Sequence, residues 1–360
     1  MAYSSIVKPT DYFNTKLYTG NGSSNALTGV GFQPDLVWVK SRSQANSHVL
    51  FDAIRTFAGG KEIQSNNTGA EGASDSAGYG YISAVSADGF TAQVGTSAGD
   101  YTNVSSQNYV GWNWLGANGT ASNSNGSITS TVSANTTAGF SIVSYTGTGS
   151  SPATIGHGLG ATPDMVIIKD RDASKAWVCY HSAIGATKGI FLEQTSAANT
   201  SSTYFNNTAP TSSVFTIADS SHVNTSSDKY IAYCFAGKKG YSKFGSFTGN
   251  NNADGVFVYT GFKPAWVMTK SSNQGGTGYD WVMFDNKRNP FNVSDAYIDA
   301  NLNAAEVTSG RNEVDFLSNG FKCRSSYGDL NSSYEYIYMA FAENPFVAND
   351  SGTAVPVTAK

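Results

Sequence analysis

Cysteine is scarce, and the three present, Cys179, Cys234 and Cys323, have none of the close paired spacing of a zinc site or a disulfide framework. Each sits inside an apolar segment, where a buried thiol is the simplest role. Charged residues make up only 13% of the chain and sum to −4, with no basic cluster beyond Lys238-Lys239. The electrostatic footprint of a nucleic-acid binder is therefore missing. No segment approaches the ~18 apolar residues of a membrane-spanning helix. The opening Met1-Ala2-Tyr3-Ser4-Ser5-Ile6-Val7-Lys8 also lacks the charged and apolar regions of a secretion signal, so export by that route and membrane insertion are not expected. Stretches of Leu, Ala, Glu and Lys at helical spacing are absent as well, which disfavours a helical fold.

What the chain does have is glycine, 38 residues, with Ser, Thr and Asn crowded between short apolar runs. That is the composition of an all-β protein rich in turns. One stretch returns: Gly31-Phe32-Gln33-Pro34-Asp35-Leu36-Val37-Trp38-Val39-Lys40, then Gly160-Ala161-Thr162-Pro163-Asp164-Met165-Val166-Ile167-Ile168-Lys169, then Gly261-Phe262-Lys263-Pro264-Ala265-Trp266-Val267-Met268-Thr269-Lys270. Proline fixes φ and lacks an amide donor, which suits strand entry, and the β-branched and aromatic run that follows suits a pleated surface. Because the run is almost continuously apolar, the strand is expected to be covered on both faces, with the terminal Lys marking where it meets water.

Other segments keep step with that one. Leu17-Tyr18-Thr19-Gly20, Ser144-Tyr145-Thr146-Gly147 and Ser246-Phe247-Thr248-Gly249 lead each unit. A second apolar run follows the Lys: His48-Val49-Leu50-Phe51-Asp52, Trp177-Val178-Cys179-Tyr180-His181 and Trp281-Val282-Met283-Phe284-Asp285. Aromatic strands beginning at Tyr109, Tyr230 and Tyr336 close the units. The expected fold is all-β, with three tandem antiparallel β-sandwich units of jelly-roll or concanavalin-like type. The boundaries read as an N-terminal arm 1–16, units 17–119, 120–237 and 238–346, and a polar tail 347–360. The Ser/Thr/Asn-rich stretch 117–137 reads as the clearest linker.

Catalytic chemistry is hard to find. Of the four histidines, His48 and His181 fall at different positions of the second run, His157 lies in a Gly-rich turn and His222 in a polar loop, with no metal-ligand spacing among them. Gly156-His157-Gly158-Leu159-Gly160 precedes a strand instead of a helix, so it reads as a turn and not as a phosphate loop. Asp52 with Arg55, and Asp285 with Arg288, recur three residues apart at matching places, which suits structural salt bridges; a paired Arg holds a carboxylate's pKa down, the wrong direction for a general acid. Asp254, Asp280, Asp285 and Glu306 are the acidic residues a glycosidase-like pair in the third unit would draw on, but nothing selects two of them. No catalytic residue, metal or cofactor is expected. A binding surface remains: Trp112, Trp114, Tyr279 and Trp281 are the candidates for stacking on a glycan, although Trp112 and Trp114, alternating along one strand, suit a sandwich core better.

With its repeats laid out, the chain resembles a family of marine bacteriophage structural proteins. The resemblance is carried by Lys8-Pro9-Thr10-Asp11-Tyr12-Phe13-Asn14-Thr15-Lys16-Leu17-Tyr18-Thr19-Gly20-Asn21-Gly22, by Ala153-Thr154-Ile155-Gly156-His157-Gly158-Leu159-Gly160, by Gly240-Tyr241-Ser242-Lys243-Phe244-Gly245-Ser246-Phe247-Thr248-Gly249-Asn250 and by Val256-Phe257-Val258-Tyr259-Thr260-Gly261 with the strand after it. It implies a lectin-like β-sandwich virion protein, tail-fibre-like or otherwise structural, made in the host cytoplasm. Its implied partners are other tail or capsid proteins, a host surface glycan and further copies of itself, as in a fibre trimer. A capsid decoration protein is the first alternative, and a polysaccharide depolymerase the second.

Overall fold

A computed structural model describes residues 4–96, 101–308 and 313–345, together with the backbone of 347–348 and 355–356. Nearly every element is an antiparallel strand, and three large sheets dominate. The first orders its strands Phe13–Thr19, Asn108–Trp114, Leu36–Ser41, Val49–Asp52. The second places Phe140–Thr146, Lys229–Phe235, Met165–Asp170 and Val178–His181 in the same succession, and the third does so with Ser242–Thr248, Glu335–Pro345, Phe262–Ser271 and Val282–Asp285. In each, the Pro-led strand lies between the closing aromatic strand and the second apolar run.

The Pro-led strands are buried throughout, and their alternation sorts the side chains between two cores. Leu36 and Trp38, Met165 and Ile167, and Trp266 and Met268 point into one central core that all three sheets share. Val37 and Val39, Val166 and Ile168, and Val267 point the other way, each set into a separate outer core. A small sheet covers each outer face: Ser24–Leu27 with Gly89–Gln93 and Tyr81–Ser86, Ala153–Gly156 with Val214–Ile217, and Phe257–Tyr259 with Gly320–Cys323 and Val314–Leu317. Every large sheet is thus a sandwich on its outside and one wall of a common interior on its inside.

At the centre, Trp114, Phe235 and Phe341, one from each closing strand, meet with ring centroids 5.8–6.5 Å apart. Phe13 adds a ring 4.9 Å from both Trp114 and Phe341. The interior void bordered by Trp38, Trp114, Trp177 and Phe235 measures only about 10 Å³, so the centre is packed solid.

Several expectations are corrected here. The Lys that ends each Pro-led strand does not meet water: Lys40, Lys169 and Lys270 are 0% exposed. Each ammonium donates to main-chain carbonyls instead, Lys40 to Ser41 and Gln44, Lys169 to Asp170 and Ala173, and Lys270 to Ser271 and Thr195. Burial pulls their pKa values down, to about 7 for Lys40 and about 8 for the other two.

The stretch 117–137 is no free linker. Ala121–Asn123 and Ser130–Asn135 extend the second sheet, and the buried Asp35 carboxylate accepts from the Gly116 amide at 2.8 Å and the Ser133 hydroxyl at 3.2 Å. A carboxylate with donors from both sides of the join explains why polar, Gly-rich sequence is ordered there. The arm 1–16 overlaps the first sheet, since its strand begins at Phe13. In the tail 347–360, two-residue strands at Val347–Ala348 and Val355–Pro356 pair, and the remainder lies outside the described residues.

Because the three sheets share one interior, the chain should unfold as a unit. Calorimetry should give one transition whose calorimetric and van't Hoff enthalpies agree, and a fragment of residues 120–237 alone should fail to show a cooperative melt; three resolved transitions would contradict the shared core.

Candidate functional site

Most of the chemistry-bearing side chains lie at the joints between sheets. At the joint of the first and second sheets, Tyr233 donates its hydroxyl to Asp52 at 2.8 Å, and Trp177 donates its indole N–H to the Gln64 carbonyl at 2.9 Å. Glu71 receives Arg171 at 2.7 Å and Lys61 at 2.9 Å, and its amide donates to the Arg171 carbonyl at 2.8 Å. Its carboxyl is held below the ordinary range: burial would raise it, and Arg171 leads the opposing set of Arg and Lys partners that prevails.

At the joint of the third and first sheets, Trp112 donates to Asp285 at 3.1 Å, His48 Nε2 donates to the Asp299 carbonyl at 3.0 Å, and Glu306 receives Arg42 at 2.7 Å. The Trp38 indole donates to His48 Nδ1 at 2.9 Å, which fixes the proton of a neutral ring on Nε2.

The joint of the second and third sheets repeats the pattern without an ion pair among the described residues, its one charged contact being Lys270 on the Thr195 carbonyl. Ala198 stands in the place of Glu71 and Glu306, its amide donating to the Ser272 carbonyl at 2.9 Å. Trp281 donates to the Phe191 carbonyl at 2.9 Å, and His181 Nε2 donates to the Tyr338 carbonyl at 3.1 Å. The Ala183 amide donates to His181 Nδ1 at 3.1 Å, again defining a neutral ring. Burial pushes the His181 pKa down to about 4 and that of His48 well below its ordinary value.

The expected ion pairs are present and wholly buried. Arg55 meets Asp52 at 2.6 Å and Arg288 meets Asp285 at 2.5 Å, with both side chains of each pair 0% exposed. Each guanidinium also caps a strand carbonyl, Leu50 at 3.0 Å and Met283 at 2.8 Å. Arg288 further lies 5.7 Å from the Trp112 ring centre. These four residues are therefore parts of the joints.

The glycan candidates divide. Trp112, Trp114 and Trp281 are 0%, 1% and 2% exposed, so they belong to the central core and cannot stack on a ligand, which corrects that expectation. Their strands face the other two sheets, and the alternation that suited a binding face serves the interior instead. Tyr279 alone stays at the surface. Its ring meets Tyr334 edge to face at 5.7 Å, and with Tyr327 and Asp329 it borders a cleft of about 240 Å³. Gly328 allows this, since a Cβ there would come within 3.1 Å of the Tyr279 ring and 2.7 Å of the Gly278 carbonyl. Tyr327 is 46% exposed.

Of the carboxylates considered for hydrolysis, Asp285 and Glu306 are brought together on Arg288, Glu306 also receiving Arg42, while Asp254 pairs with Lys322 and Asp280 accepts from Asn301. His157 and His222 bond local backbone, the former with Thr211 and Leu159 and the latter with Ala176. The three cysteines are free and buried, as expected. Among the described residues no group of three His, Cys, Asp or Glu side chains could hold a metal ion, and no helix is long and apolar enough to cross a membrane.

Sequence reasoning found the Asp–Arg pairs of the joints but missed most of their other members, although a signal was available. His48, Trp177 and Trp281 open the second run at the same place, and all three carry a ring N–H. It also missed Asn103, Asn224 and Asn331, buried amides that donate to the Ala92, Ala218 and Ser325 carbonyls and anchor the loops after the leading strands.

Fold and site together define an all-β protein of several antiparallel sheets packed around a shared interior, with a tyrosine-lined cleft near Tyr279. Residues 8–345 match the family described as a domain of unknown function, DUF7483, and the chain belongs to that family. No curated protein and no solved structure matches it.

Two measurements probe the joints. Asp285→Asn should cost about 3 kcal/mol in denaturant unfolding, because it leaves a buried guanidinium short of its partner. Asp315→Asn, which breaks the more exposed pair with Arg324, should cost under about 1 kcal/mol. Equal losses would contradict the joint assignment. Acid stability tests His181: an unfolded imidazole takes a proton near pH 6.5 while the folded one resists until about 4, so stability falls as pH drops through that window. The loss is about 3 kcal/mol for one group at 1.36 kcal/mol per pH unit. His181→Gln, which keeps an acceptor and a donor, should remove about one proton from the acid slope; an unchanged slope would count against a neutral buried ring.

Proposed function

We propose that the chain is a structural protein of a bacteriophage particle, a tail-associated fibre or adhesin displayed on the surface and contacting a host surface glycan. On this reading it is a tandem of three equivalent β-sandwich units, and the threefold arrangement expected of a fibre trimer is met within a single chain. The shared strand order of the three large sheets and the cyclic succession of joints support the tandem.

One observation carries the contact function. Six large hydrophobic side chains stand out as exposed among the described residues, and five of them, Phe257, Tyr259, Phe291, Leu302 and Tyr327, lie in the third unit. The cleft beside Tyr279 lies there too. Exposed aromatics beside Asn-, Ser- and Gly-rich loops are the surface that sugar recognition uses, with ring faces for stacking and polar loop groups for hydroxyls. Weak single sites would gain strength from many copies on one particle.

A bacterial glycan array tests this with the intact protein. Binding to at least one surface polysaccharide class is expected, weakened tenfold or more in the Tyr279→Ala/Tyr327→Ala double variant. Binding to none would remove the adhesin reading and leave a decoration role, in which these aromatics face other virion proteins.

A further inference from the structure

The short strand Phe257–Tyr259 runs along the edge of the small sheet over the third unit, pairing only with Gly320–Cys323. Val258 points inward and is 6% exposed, whereas Phe257 and Tyr259, on the other face, are 46% and 50% exposed. The other two small sheets show what this strand requires. Leu27 pairs with Phe90, Ile155 with Phe215 and Val258 with Phe321, so the position of Phe257 corresponds to Ala26 and Thr154. Alanine and threonine suffice there for the sandwich, so the architecture does not explain an exposed aromatic at this place.

The surroundings are also specific. The Phe257 ring lies against Gly320, where a Cβ would come within 2.9 Å of it. The Lys243 ammonium sits 5.1 Å from the Tyr259 ring centre and donates to the Tyr259 carbonyl at 2.6 Å. Tyr259 then forms one wall of an open groove of about 500 Å³, running between the second and third units, with Lys239, Lys243 and Phe244 among its walls. The one carboxylate in this groove, Asp164, already accepts from the Gly237 amide at 2.8 Å and from the Ser182 hydroxyl at 3.2 Å. Lys322, opposite Phe257 in the ladder, is paired with Asp254.

We infer that this groove binds an acidic polysaccharide, a chain of hexuronate or similarly carboxylated sugars. Tyr259 presents its ring inside the groove, and Phe257, outside the groove's lining but on the same strand face and roughly 7 Å along the strand, offers a second ring to the next sugar. Lys243, held over Tyr259, and Lys239 on the rim meet the carboxylates. The inference rests on the glycan-binding reading and adds a second site, distinct from the Tyr279 cleft, with its ligand class. Aromatics with lysines also suit single-stranded nucleic acid; the net charge of −4 opposes any long polyanion, and two lysines beside an aromatic wall match the few carboxylates of a short uronate stretch, without the extended basic groove that tracks a nucleic-acid strand.

The test is calorimetric titration of the intact chain with oligogalacturonate, a neutral galactan oligomer of equal length, and oligothymidylate. Oligogalacturonate should bind at least tenfold tighter than the other two, and more weakly as salt rises. Tyr259→Ala should weaken it tenfold or more, and Lys243→Gln about fivefold with a flatter salt dependence; Phe257→Thr, which restores the residue of the second unit, should act like Tyr259→Ala without loss of thermal stability. Unchanged affinity in these variants, or tighter binding of oligothymidylate, would overturn the assignment. If the array finds only neutral glycans, lost with Tyr279 and Tyr327 but indifferent to Tyr259→Ala, the adhesin function stands and the groove assignment falls. No response to any glycan removes both.

Discussion

The contact among Trp114, Phe235 and Phe341 is the constraint on which the rest of the molecule depends. Three closing strands, more than a hundred residues apart in sequence, each send one large ring to the same place. Aromatic pairs of this kind contribute about 0.5–1.5 kcal/mol beyond their area, but their larger effect is geometric. They require the closing and Pro-led strands of every large sheet to be covered on both faces, so those strands reach water almost only at their ends. Even there the chain is closed over: the strand-end lysines are capped by carbonyls, and the leading loops are pinned by buried asparagines. A sheet with no wet face must satisfy each polar group internally, and those polar groups set how the sheets fit together.

The joints show that one geometry accepts different chemistry. The position that holds Asp52 and Asp285 in two sheets holds His181 in the other, and the matching donors are Tyr233, Trp112 and, at His181, none, because Met339 stands there. Among the described residues two joints hold ion pairs and one does not. Buried ion pairs add little net stability after desolvation but penalise misplacement heavily, which suits them to fixing register between sheets. The exposed residues follow a different logic: Phe257, Tyr259, Tyr279 and Tyr327 vary where the sandwiches have no structural need of them.

Much of the fold was legible in the sequence. The Pro-led strand, its burial on both faces, the closing aromatic strand and the Asp–Arg pairs all follow from local patterns. Closure of three sheets on one interior was not, because alternation inside a continuously apolar run does not reveal that its two faces enter different cores. The tryptophans illustrate the ambiguity: Trp112 on its strand and Trp281 just before Val282–Asp285 stand as an exposed binding face would have them, and only the neighbouring sheets make them interior. Stretch 117–137 misled for a related reason, since a polar composition says nothing about Asp35, eighty residues earlier, waiting with a carboxylate for its amides. Of the site, Tyr279 was visible and the Tyr259 groove was not, because its walls come from three separated segments.

The joint between the third and first sheets bears on how the chain is made. Arg42 and Glu306 are 264 residues apart, and the interior they close is incomplete until the last sheet exists. During synthesis from the N-terminus, the first sheet can acquire its outer cover early, from residues 24–93, while its inner face, with Trp38, Trp112 and Trp114, waits for two further sheets. At about 5–20 residues per second, that greasy face stands open on the ribosome for some ten seconds or more. Until the last sheet forms, that apolar face is the part of the emerging chain most exposed to non-native association.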